Sequence, residues 1–295
     1  MFFVFPADFL NQQVSEEKII SQCLKGLQDQ QLQNGIINEI FVVSSGSTDN
    51  TNQIVQDFGR KDNRIELITQ SKRLGKASAI NEFLAAAQGD IAIIESADTI
   101  PTLNTIEELI KPFDDPFVGM SGAHPIPVNN RDSFVGFCVH KLWELHHHMS
   151  LNSPKCGEMV AFRNIVEKIP KYTAVDEAVI EGIFQSQNKK LAYAKNAIVY
   201  NKGPETIKDF IKQRRRIAAG HRHLNVTTHY EVSTQKPGNI FPNVLATQRW
   251  TPKEVLFMLL LMIIEAYSRF MGMFDFYLRD KNPYIWDISE TTKQI

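Results

Sequence analysis

Short apolar runs alternate with amphipathic stretches along the first part of the chain. The apolar runs are rich in Ile, Val and Phe, as buried strands are, and they occur at 2–5, 36–43, 65–69 and 91–94. The stretches between them repeat apolar residues at helical spacing and occur at 16–30, 49–59 and 76–87. Strands that alternate with helices of this length indicate βαβ units. We therefore expect an α/β domain with a mostly parallel central sheet flanked by helices.

The rest of the chain contains more helical patterns and a long apolar run. Helical spacing recurs at 105–113, 134–150 and 205–224, and a strand pattern occurs at 191–200. The 205–224 pattern is rich in Lys and Arg, and the polar loop 227–243 follows it. Pro252 opens a last helix that includes the unbroken apolar run 255–264. We expect three regions, which are a domain at 1–203, a basic amphipathic helix and loop at 204–250, and a hydrophobic helix and tail at 251–295.

Composition narrows the classes of function. The chain has 295 residues, 43% hydrophobic and 22% charged, and its formal net charge is −1. This near-neutral charge argues against non-specific binding of nucleic acid by the whole molecule, so we expect no nucleic-acid partner. No Gly-x-Gly-x-x-Gly motif follows the first apolar run, which argues against a dehydrogenase. The three cysteines are far apart and form no Cys-x-x-Cys pair, which favours a reduced, cytosolic-facing compartment.

One strand–turn–helix segment is the most informative part of the sequence. An apolar run ends at Val43, and the polar turn Ser44-Ser45-Gly46-Ser47-Thr48-Asp49 follows directly. In α/β proteins, nucleotides bind at such turns, where a parallel strand ends and a helix begins. The segment resembles the VVDDGSTDxT motif of family-2 glycosyltransferases, which have the GT-A nucleotide-diphospho-sugar transferase fold. Ser44 and Ser45 stand where that motif has acidic residues.

The resemblance implies a donor half at 1–101 and an acceptor half at 102–203. Arg73-Leu74-Gly75-Lys76 resembles the NxGKxxAxN motif of the family, and a helix N-terminus there suits a phosphate. Asp98 and Ser96 occupy the two acidic positions of the family's Asp-x-Asp motif, so Asp98 is the implied ligand of Mg²⁺ or Mn²⁺. The implied nucleotide and donor contacts of this half are Pro6, Ala7, Ser45, Asp49, Arg73, Gly75, Lys76 and Ser96. From the residues alone, Asp98 could be an N-cap or turn residue, and Asp49 could be the N-cap of the second helix.

The second half resembles the family at three further segments. Ala174-Val175-Asp176-Glu177 is similar to the catalytic segment, which implies Asp176 as the base that takes a proton from an acceptor hydroxyl, with Glu177 as the alternative. Gly157 and Glu158 lie in a segment that resembles the acceptor pocket. Gln213-Arg214-Arg215-Arg216 resembles the QxxRW motif of membrane-associated members, and the implied donor contacts there are Gln213, Arg214 and Arg216. Arg214 falls on the apolar stripe of its helix, so we expect it to point inward, toward a ligand or an acid.

The resemblance implies metal-dependent, inverting transfer of a sugar from a UDP- or GDP-sugar to an acceptor hydroxyl. The expected acceptor is lipid-linked or a glycolipid, at the cytoplasmic face of the cell membrane. The alternative is a catalytically degenerate nucleotide-sugar-binding or scaffold protein on the same fold, because serine replaces acids at positions 44, 45 and 96.

The C-terminal third favours contact with a membrane surface. The basic amphipathic pattern at 205–224 is typical of helices that bind anionic lipid. The apolar run 255–264 is too short to span a bilayer core of about 30 Å. Extension to Tyr277 reaches a spanning length but includes Glu265, Arg269 and Asp275. We expect an interfacial helix, with a spanning helix second and a helix that packs between subunits third.

Overall fold

The structure is a computed structural model that describes residues 2–7, 16–47, 49–96, 98–232, 244 and 251–279, with the backbone alone at 2–7, 16–19 and 279. Most of the predicted loop at 227–243, from residue 233 onward, lies outside the described residues. The predicted tail beyond residue 279 also lies outside them.

The described residues include eight strands in one sheet. They are β1 Phe2–Ala7, β2 Ile40–Ser45, β3 Ile65–Gln70, β4 Ile91–Glu95, β5 Thr99–Pro101, β6 Val118–Pro127, β7 Met159–Arg163 and β8 Lys190–Asn201. The patterns predict five of them but not β5, β6 or β7. β2 begins at Ile40 instead of residue 36, because Asn38 and Glu39 interrupt the apolar run and Ile36 is exposed.

Helices connect and cover the strands. They are α1 Glu16–Gln28, α2 Thr51–Gly59, α3 Lys76–Ala86, α4 Thr105–Ile110, α5 Phe134–Ser150, α6 Asp176–Ser186, α7 Ile207–Thr228 and α8 Pro252–Arg279. The patterns predict all of these except α6. The helix expected at 105–113 ends at Ile110 and continues as a 3-10 helix over Lys111–Asp114, where Pro112 has no N–H to donate. α7 begins two residues later than predicted, because the Thr206 hydroxyl caps it by accepting from the N–H of Asp209 at 3.1 Å.

The strand order creates one edge at which ligands can bind. The order is β3-β2-β1-β4-β7-β6-β8-β5, and the first four strands in this order are parallel. The chain moves outward from β1 through β2 to β3, then returns to β4 on the other side of β1. Such a reversal is a topological switch point, and α/β proteins bind ligands there, beyond the carboxyl ends of the strands.

Apolar side chains cover both faces of the sheet. Successive strand residues point to opposite faces, so Val42 and Val43 belong to different core clusters. Val42 packs in the cluster that contains Leu24 of α1, and Val43 packs in the cluster that contains Phe83 of α3. The predicted α/β arrangement with helices on both faces is confirmed.

α7 and α8 pack side by side outside this core. Arg214 pairs with Glu265, and Arg222 contacts Tyr277, so the contacts advance in the same direction along both helices. A small apolar cluster joins them to α5, and it includes Val139, Phe210, Met258 and Leu261. Within the described residues, α8 is the one helix that is long and apolar enough to cross a membrane by length and composition.

Candidate active site

The carboxyl end of β2 forms the first part of the site. Ser44 and Ser45 are buried there, beside the last residues of β1 and β3. Ser45 Oγ donates to Gln70 Oε1 at 2.7 Å, lies 3.3 Å from the carbonyl oxygen of Lys72, and accepts from the N–H of Leu74 at 3.2 Å. Ser45 therefore lies at the predicted edge, where its hydroxyl fixes the segment 70–74.

Pro6, Ala7 and Asp49 flank these serines. In the parallel register, Pro6 is paired with Val43 and Ala7 with Ser44, so β1 and β2 end side by side. Asp49 Oδ1 accepts from the N–H of Thr51 at 3.1 Å, at the start of α2. The N-cap of α2 is Asn50, so the N-cap role that the sequence leaves open for Asp49 is wrong; Asp49 lies one residue earlier and accepts from the first residue of the helix.

Two glycines bring the neighbouring loops close together. Gly46 has φ +71°, and a Cβ there would lie 3.1 Å from the backbone nitrogen of Arg73. Gly75 has φ +90° and immediately precedes α3, so the chain turns sharply before Lys76. The backbone of Arg73 thus lies against the turn after β2, and α3 begins beside it.

Lys76 links the donor half to the predicted catalytic segment. Its Nζ lies 2.5 Å from Glu177 Oε1 in a largely buried ion pair. Burial disfavours the charge of Lys76, but Glu177, Asp176 and Glu158 outweigh it and raise the pKa of the ammonium group. Burial also acts against the charge of Glu177, and Lys76 outweighs it, so the pKa of that carboxyl is lowered. The pair therefore stays ionised.

Asp176 is the first residue of α6 and is 1% exposed. Neither of its carboxylate oxygens has a hydrogen-bond partner among the described residues. Burial raises the pKa of Asp176 to about 7; Lys76 opposes this shift and Glu177 adds to it. Of the two candidate bases, Asp176 is therefore the one whose carboxylate is suited to accept a proton near neutral pH.

Arg216 projects from α7 toward the same acids. Burial lowers the pKa of its guanidinium to about 10, against the opposing effect of the carboxylates Asp176, Glu177, Glu158 and Asp98. Gln213 lies half-buried one turn earlier on the helix. The structure thus brings Lys76, the acids Asp176 and Glu177, and Arg216 together from three distant segments.

The side chain of Arg214 does not point toward the acids that Arg216 faces. Its Nε and Nη2 donate to the carboxylate of Glu265 on α8, at 2.5 and 3.0 Å. The expectation that Arg214 points toward an acid is confirmed, but the acid belongs to the packing between α7 and α8. The contacts of Arg214 therefore favour a structural role over the predicted contact with the donor.

The chain beyond β4 supplies Asp98. Ser96 is half-buried and its carbonyl oxygen accepts from the N–H of Thr99 at 3.2 Å, which turns the chain into β5. Glu95 points to the face that carries α1, where its carboxylate is buried near Cys23 and accepts from Thr99 Oγ1 at 2.9 Å. Burial raises the pKa of Glu95 to about 8.

Glu158 lies at the start of β7, next to the end of β4. Its backbone has φ +60°, a left-handed conformation that a residue with a side chain rarely adopts. Burial and the neighbouring Asp98 raise the pKa of Glu158 to about 7, while a hydrogen bond from Asn201 lowers it. A Cβ added at Gly157 would meet no atom within 4 Å, so there is open space beside this residue.

Sequence reasoning missed Asn201 and Glu181. Asn201 is the last residue of β8, and the signal that could have found it was its place directly after the predicted strand 191–200. Glu181 follows Glu177 by one turn of α6, and its carboxylate accepts from the N–H of Cys156 at 2.5 Å and from the Tyr230 hydroxyl at 2.8 Å. It therefore ties the segment that leads to Glu158 to the catalytic helix.

The oxygen atoms around Asp98 suit a divalent cation. Mg²⁺ is usually held by one or two carboxylates together with substrate phosphates, and it prefers hard oxygen ligands. Asp98 and Glu158 are neighbouring carboxylates at the sheet edge. Within the described residues, no three His, Cys, Asp or Glu side chains come together to hold a metal ion. These oxygen ligands thus fit a divalent cation that a bound diphosphate would also coordinate.

Part of this chain is similar to known proteins. Residues 13–148 match glycosyl transferase family 2. The glycosyltransferase GlyG of Streptococcus pneumoniae is 35% identical over 92 residues, which are 31% of this chain and 30% of GlyG. A beta-monoglucosyldiacylglycerol synthase from Nostoc is 24% identical over 122 residues, or 41% of this chain and 26% of that protein. The chain thus matches less than a third of the length of either relative.

Solved structures extend the similarity beyond the family 2 segment. The mannosyltransferase PcManGT of Pyrobaculum calidifontis, solved in complex with GDP-Man and Mn²⁺, has a TM-score of 0.62. The superposition covers 97% of this chain and 87% of that protein, at 18% sequence identity. This similarity concerns the fold, and it confirms the GT-A fold expected from the sequence.

Proposed function

We propose that the whole chain is a family-2 glycosyltransferase that moves a sugar from a nucleoside diphosphate, UDP or GDP, to an acceptor hydroxyl with inversion. The main support is the buried carboxylate of Asp176, which has no hydrogen-bond partner in the described part of the chain and lies beside the cations Lys76 and Arg216. A proton acceptor between two cations suits a reaction that deprotonates a hydroxyl and expels a diphosphate. The family 2 segment and the GT-A fold support the same reaction class.

Each group has a defined task in a single in-line displacement. The acceptor hydroxyl passes its proton to Asp176 as its oxygen bonds to the anomeric carbon and the bond to the diphosphate breaks. Lys76 and Arg216 neutralise the charge that develops on the departing diphosphate. Glu177 holds Lys76 in position through their ion pair. Because the sugar never bonds to the protein, one catalytic carboxylate is enough and the configuration inverts.

A divalent cation, Mg²⁺ or Mn²⁺, belongs at Asp98 in this proposal. When bound, it would neutralise further charge on the diphosphate. Asp98, which follows β4 at the switch point of the sheet and lies next to Glu158, would hold this cation.

The acceptor we propose is a lipid-linked or glycolipid hydroxyl. A hydroxyl needs a base such as Asp176, whereas a lipid phosphate is already ionised and does not. The outward side of α8 is strongly apolar, and its exposed large residues are Leu256, Leu259, Leu260, Met262, Ile263, Tyr267, Phe270, Met273, Tyr277 and Leu278. Such a surface beside the catalytic domain suits an acceptor that resides in a bilayer.

We infer that α8 lies along the membrane surface and does not span it. α7 packs beside α8 and carries Arg214, Arg215 and Arg222 at the contact. A spanning α8 would draw these arginines into the hydrocarbon layer, where charged groups are costly. In the interfacial orientation, the exposed Lys208 and Lys212 of α7 can contact anionic headgroups. The cytoplasmic face is favoured because Cys23, Cys138 and Cys156 are all free.

The second candidate is a catalytically degenerate protein that binds nucleotide sugars as a scaffold. Serine at positions 44, 45 and 96, where the family has acids, favours this candidate. The intact grouping of Asp176, Lys76 and Arg216 favours the enzyme, because a scaffold has no use for a base with a raised pKa. Hydrolysis of UDP-sugars or GDP-sugars by the purified protein, with and without Mn²⁺, separates the two.

The decisive experiment pairs nucleotide binding with turnover. We expect UDP or GDP to raise the melting temperature of the wild-type protein, more so with Mn²⁺, because a ligand of the native state stabilises it. The melting temperature of Asp176→Asn should rise with nucleotide as that of the wild type does. Its rate of donor turnover should fall by at least about 10²-fold, the usual contribution of a catalytic base.

The matched control is Asp57→Asn, which alters an exposed aspartate on α2 that pairs with Arg60. It should retain both nucleotide binding and turnover. Stabilisation by a nucleotide without any turnover in the wild type would favour the scaffold, and full turnover in Asp176→Asn would overturn the assignment of the base.

A further inference from the structure

We propose that Glu158 and Asn201 join Asp98 as ligands of the divalent cation and compensate for the acid that is missing at Ser96. This inference rests on the proposed function, because it concerns the cation at the same diphosphate site. It assigns a role to Asn201 that no sequence motif indicated, and it changes the role of Glu158 from acceptor contact to metal ligand.

The sheet brings the three residues together through its mixed pairing. β7 is antiparallel to β4, and Met159 is paired with Glu95, so Glu158 lies where β4 ends. β5 is antiparallel to β8, and Thr99 is paired with Asn201, so Asn201 lies beside the residue that follows Asp98. Three strand ends that are distant in sequence therefore meet at one point of the ligand edge.

The side chain of Asn201 provides the independent observation. Asn201 is 5% exposed, and its side chain lies beside the carboxylate of Glu158, whose charged form it favours. Its Oδ1 has no hydrogen-bond partner among the described residues. A buried carbonyl oxygen without a partner costs free energy, and native proteins seldom leave one unsatisfied. A cation between Asn201 and the two neighbouring acids would satisfy it.

The chemistry of the three groups matches Mg²⁺ and Mn²⁺. Two carboxylates and one amide carbonyl are hard oxygen ligands, and together they leave the remaining positions of an octahedral ion for diphosphate oxygens and water. The left-handed backbone of Glu158 is held by its surroundings, since Glu181 accepts from the N–H of Cys156 two residues earlier. Strained backbone is typically retained where a side chain must have one particular position.

Direct measurement of Mn²⁺ binding tests the ligand set without reference to turnover. The full-length protein is titrated with Mn²⁺ in the presence of UDP or GDP, and free Mn²⁺ is measured by electron paramagnetic resonance. Asn201→Ala should raise the Kd for Mn²⁺ by on the order of tenfold or more, the range seen when metal-site partners are removed. Asn201→Asp, which has nearly the same shape and adds a carboxylate, should bind Mn²⁺ at least as tightly as the wild type.

Two further variants control for loss of structure. Asn196→Ala removes an exposed amide from the same strand, where it contacts Glu108, and should leave the Kd for Mn²⁺ unchanged. Glu158→Gln keeps the shape of the side chain but removes the charge and should weaken Mn²⁺ binding. If Asn201 positioned Glu158 without binding the metal, the new carboxylate in Asn201→Asp would repel that of Glu158, and this variant would bind Mn²⁺ more weakly than the wild type.

Wild-type affinity for Mn²⁺ in Asn201→Ala, or loss of binding in Asn201→Asp, overturns the inference. No Mn²⁺ binding by the wild type with either nucleotide also overturns it. Donor turnover by the wild type in the presence of a chelator would still uphold glycosyl transfer with Asp176 as the base, so the ligand set and the proposed reaction fail separately.

Discussion

At the scale of single residues, two adjacent acids, Asp176 and Glu177, have different surroundings and therefore different pKa values. Glu177 forms an ion pair with Lys76, and its pKa is lowered, whereas Asp176 has no hydrogen-bond partner in the described structure and its pKa is raised to about 7. Pairs of acids whose pKa values are driven apart by their surroundings commonly divide into a charged positioning group and a proton acceptor.

This division predicts how the rate depends on pH. Asp176 must be deprotonated to act as a base, so kcat/KM for donor turnover should rise with pH through about 7 and level off above it. Lys76 holds the pKa of Asp176 down, and its replacement in Lys76→Met should move the midpoint of the profile upward. The measurement is the midpoint, which is independent of any loss of overall rate. Lys61→Met, at an exposed lysine, should leave the midpoint in place, and an unmoved midpoint in Lys76→Met would contradict the role given to Asp176.

The sequence identifies most of these residues but not their pairing. The order of motifs along the chain singles out Lys76, Asp176 and Arg216, and the fold brings them together. Which of two adjacent acids meets Lys76 depends on the direction in which α6 starts, and local sequence does not encode that direction. For the same reason, sequence could not separate Arg216, which faces the acids, from Arg214, which faces Glu265.

At the scale of elements, the secondary structure that local sequence patterns predict differs most from the observed structure in the predicted acceptor half. β6 contains two glycines and two prolines, residues that disfavour strands, yet it pairs with both β7 and β8. β7 is a run of only five residues and lacks an alternating pattern, because both of its faces are covered. These strands form because neighbouring strands in the sheet satisfy their backbone hydrogen bonds and bury their side chains. Local sequence patterns, which consider one segment at a time, therefore do not predict them.

The contact between α7 and α8 gives a prediction at this scale. A Cβ at Gly272 would lie 2.7 Å from the carbonyl oxygen of Arg215 and 2.8 Å from Ala218 Cβ. Gly272→Leu should therefore force the helices apart and lower the free energy of unfolding by about 1–3 kcal/mol, as overpacking usually does. Because α7 also carries Arg216, the stabilisation by UDP or GDP should decrease as well.

Urea unfolding and nucleotide-dependent melting measure the two effects. Ala266→Leu adds similar bulk at an exposed position of α8 and should change neither quantity. If Gly272→Leu unfolded at the same urea concentration as the wild type, the close approach of the two helices would not matter for stability.

At the scale of the whole molecule, α8 has two sides of opposite character. Two of its acids face α7, where Glu265 pairs with Arg214 and Asp275 with Arg215. Its other side is apolar, with Ile263 65% and Phe270 60% exposed. The sequence predicts the helix and its hydrophobicity, but only the packing against α7 tells which side remains outward. An interfacial orientation follows, because the arginines of α7 set the depth to which α8 can enter a bilayer.

Binding to lipid vesicles tests this orientation. The wild type should bind vesicles that contain phosphatidylserine more strongly than vesicles of phosphatidylcholine, and added salt should reduce the difference. The double variant Ile263→Glu, Phe270→Glu should lower binding by on the order of 100-fold, since burial of each apolar side chain contributes about 1.5–3 kcal/mol. The matched control is Phe117→Glu, Ile165→Glu, which replaces two exposed apolar residues of the α/β domain and should bind as the wild type does. If the Ile263, Phe270 variant kept full vesicle binding, or if the wild type sedimented as a dimer without lipid and this variant as a monomer, the apolar side of α8 would not be a membrane surface.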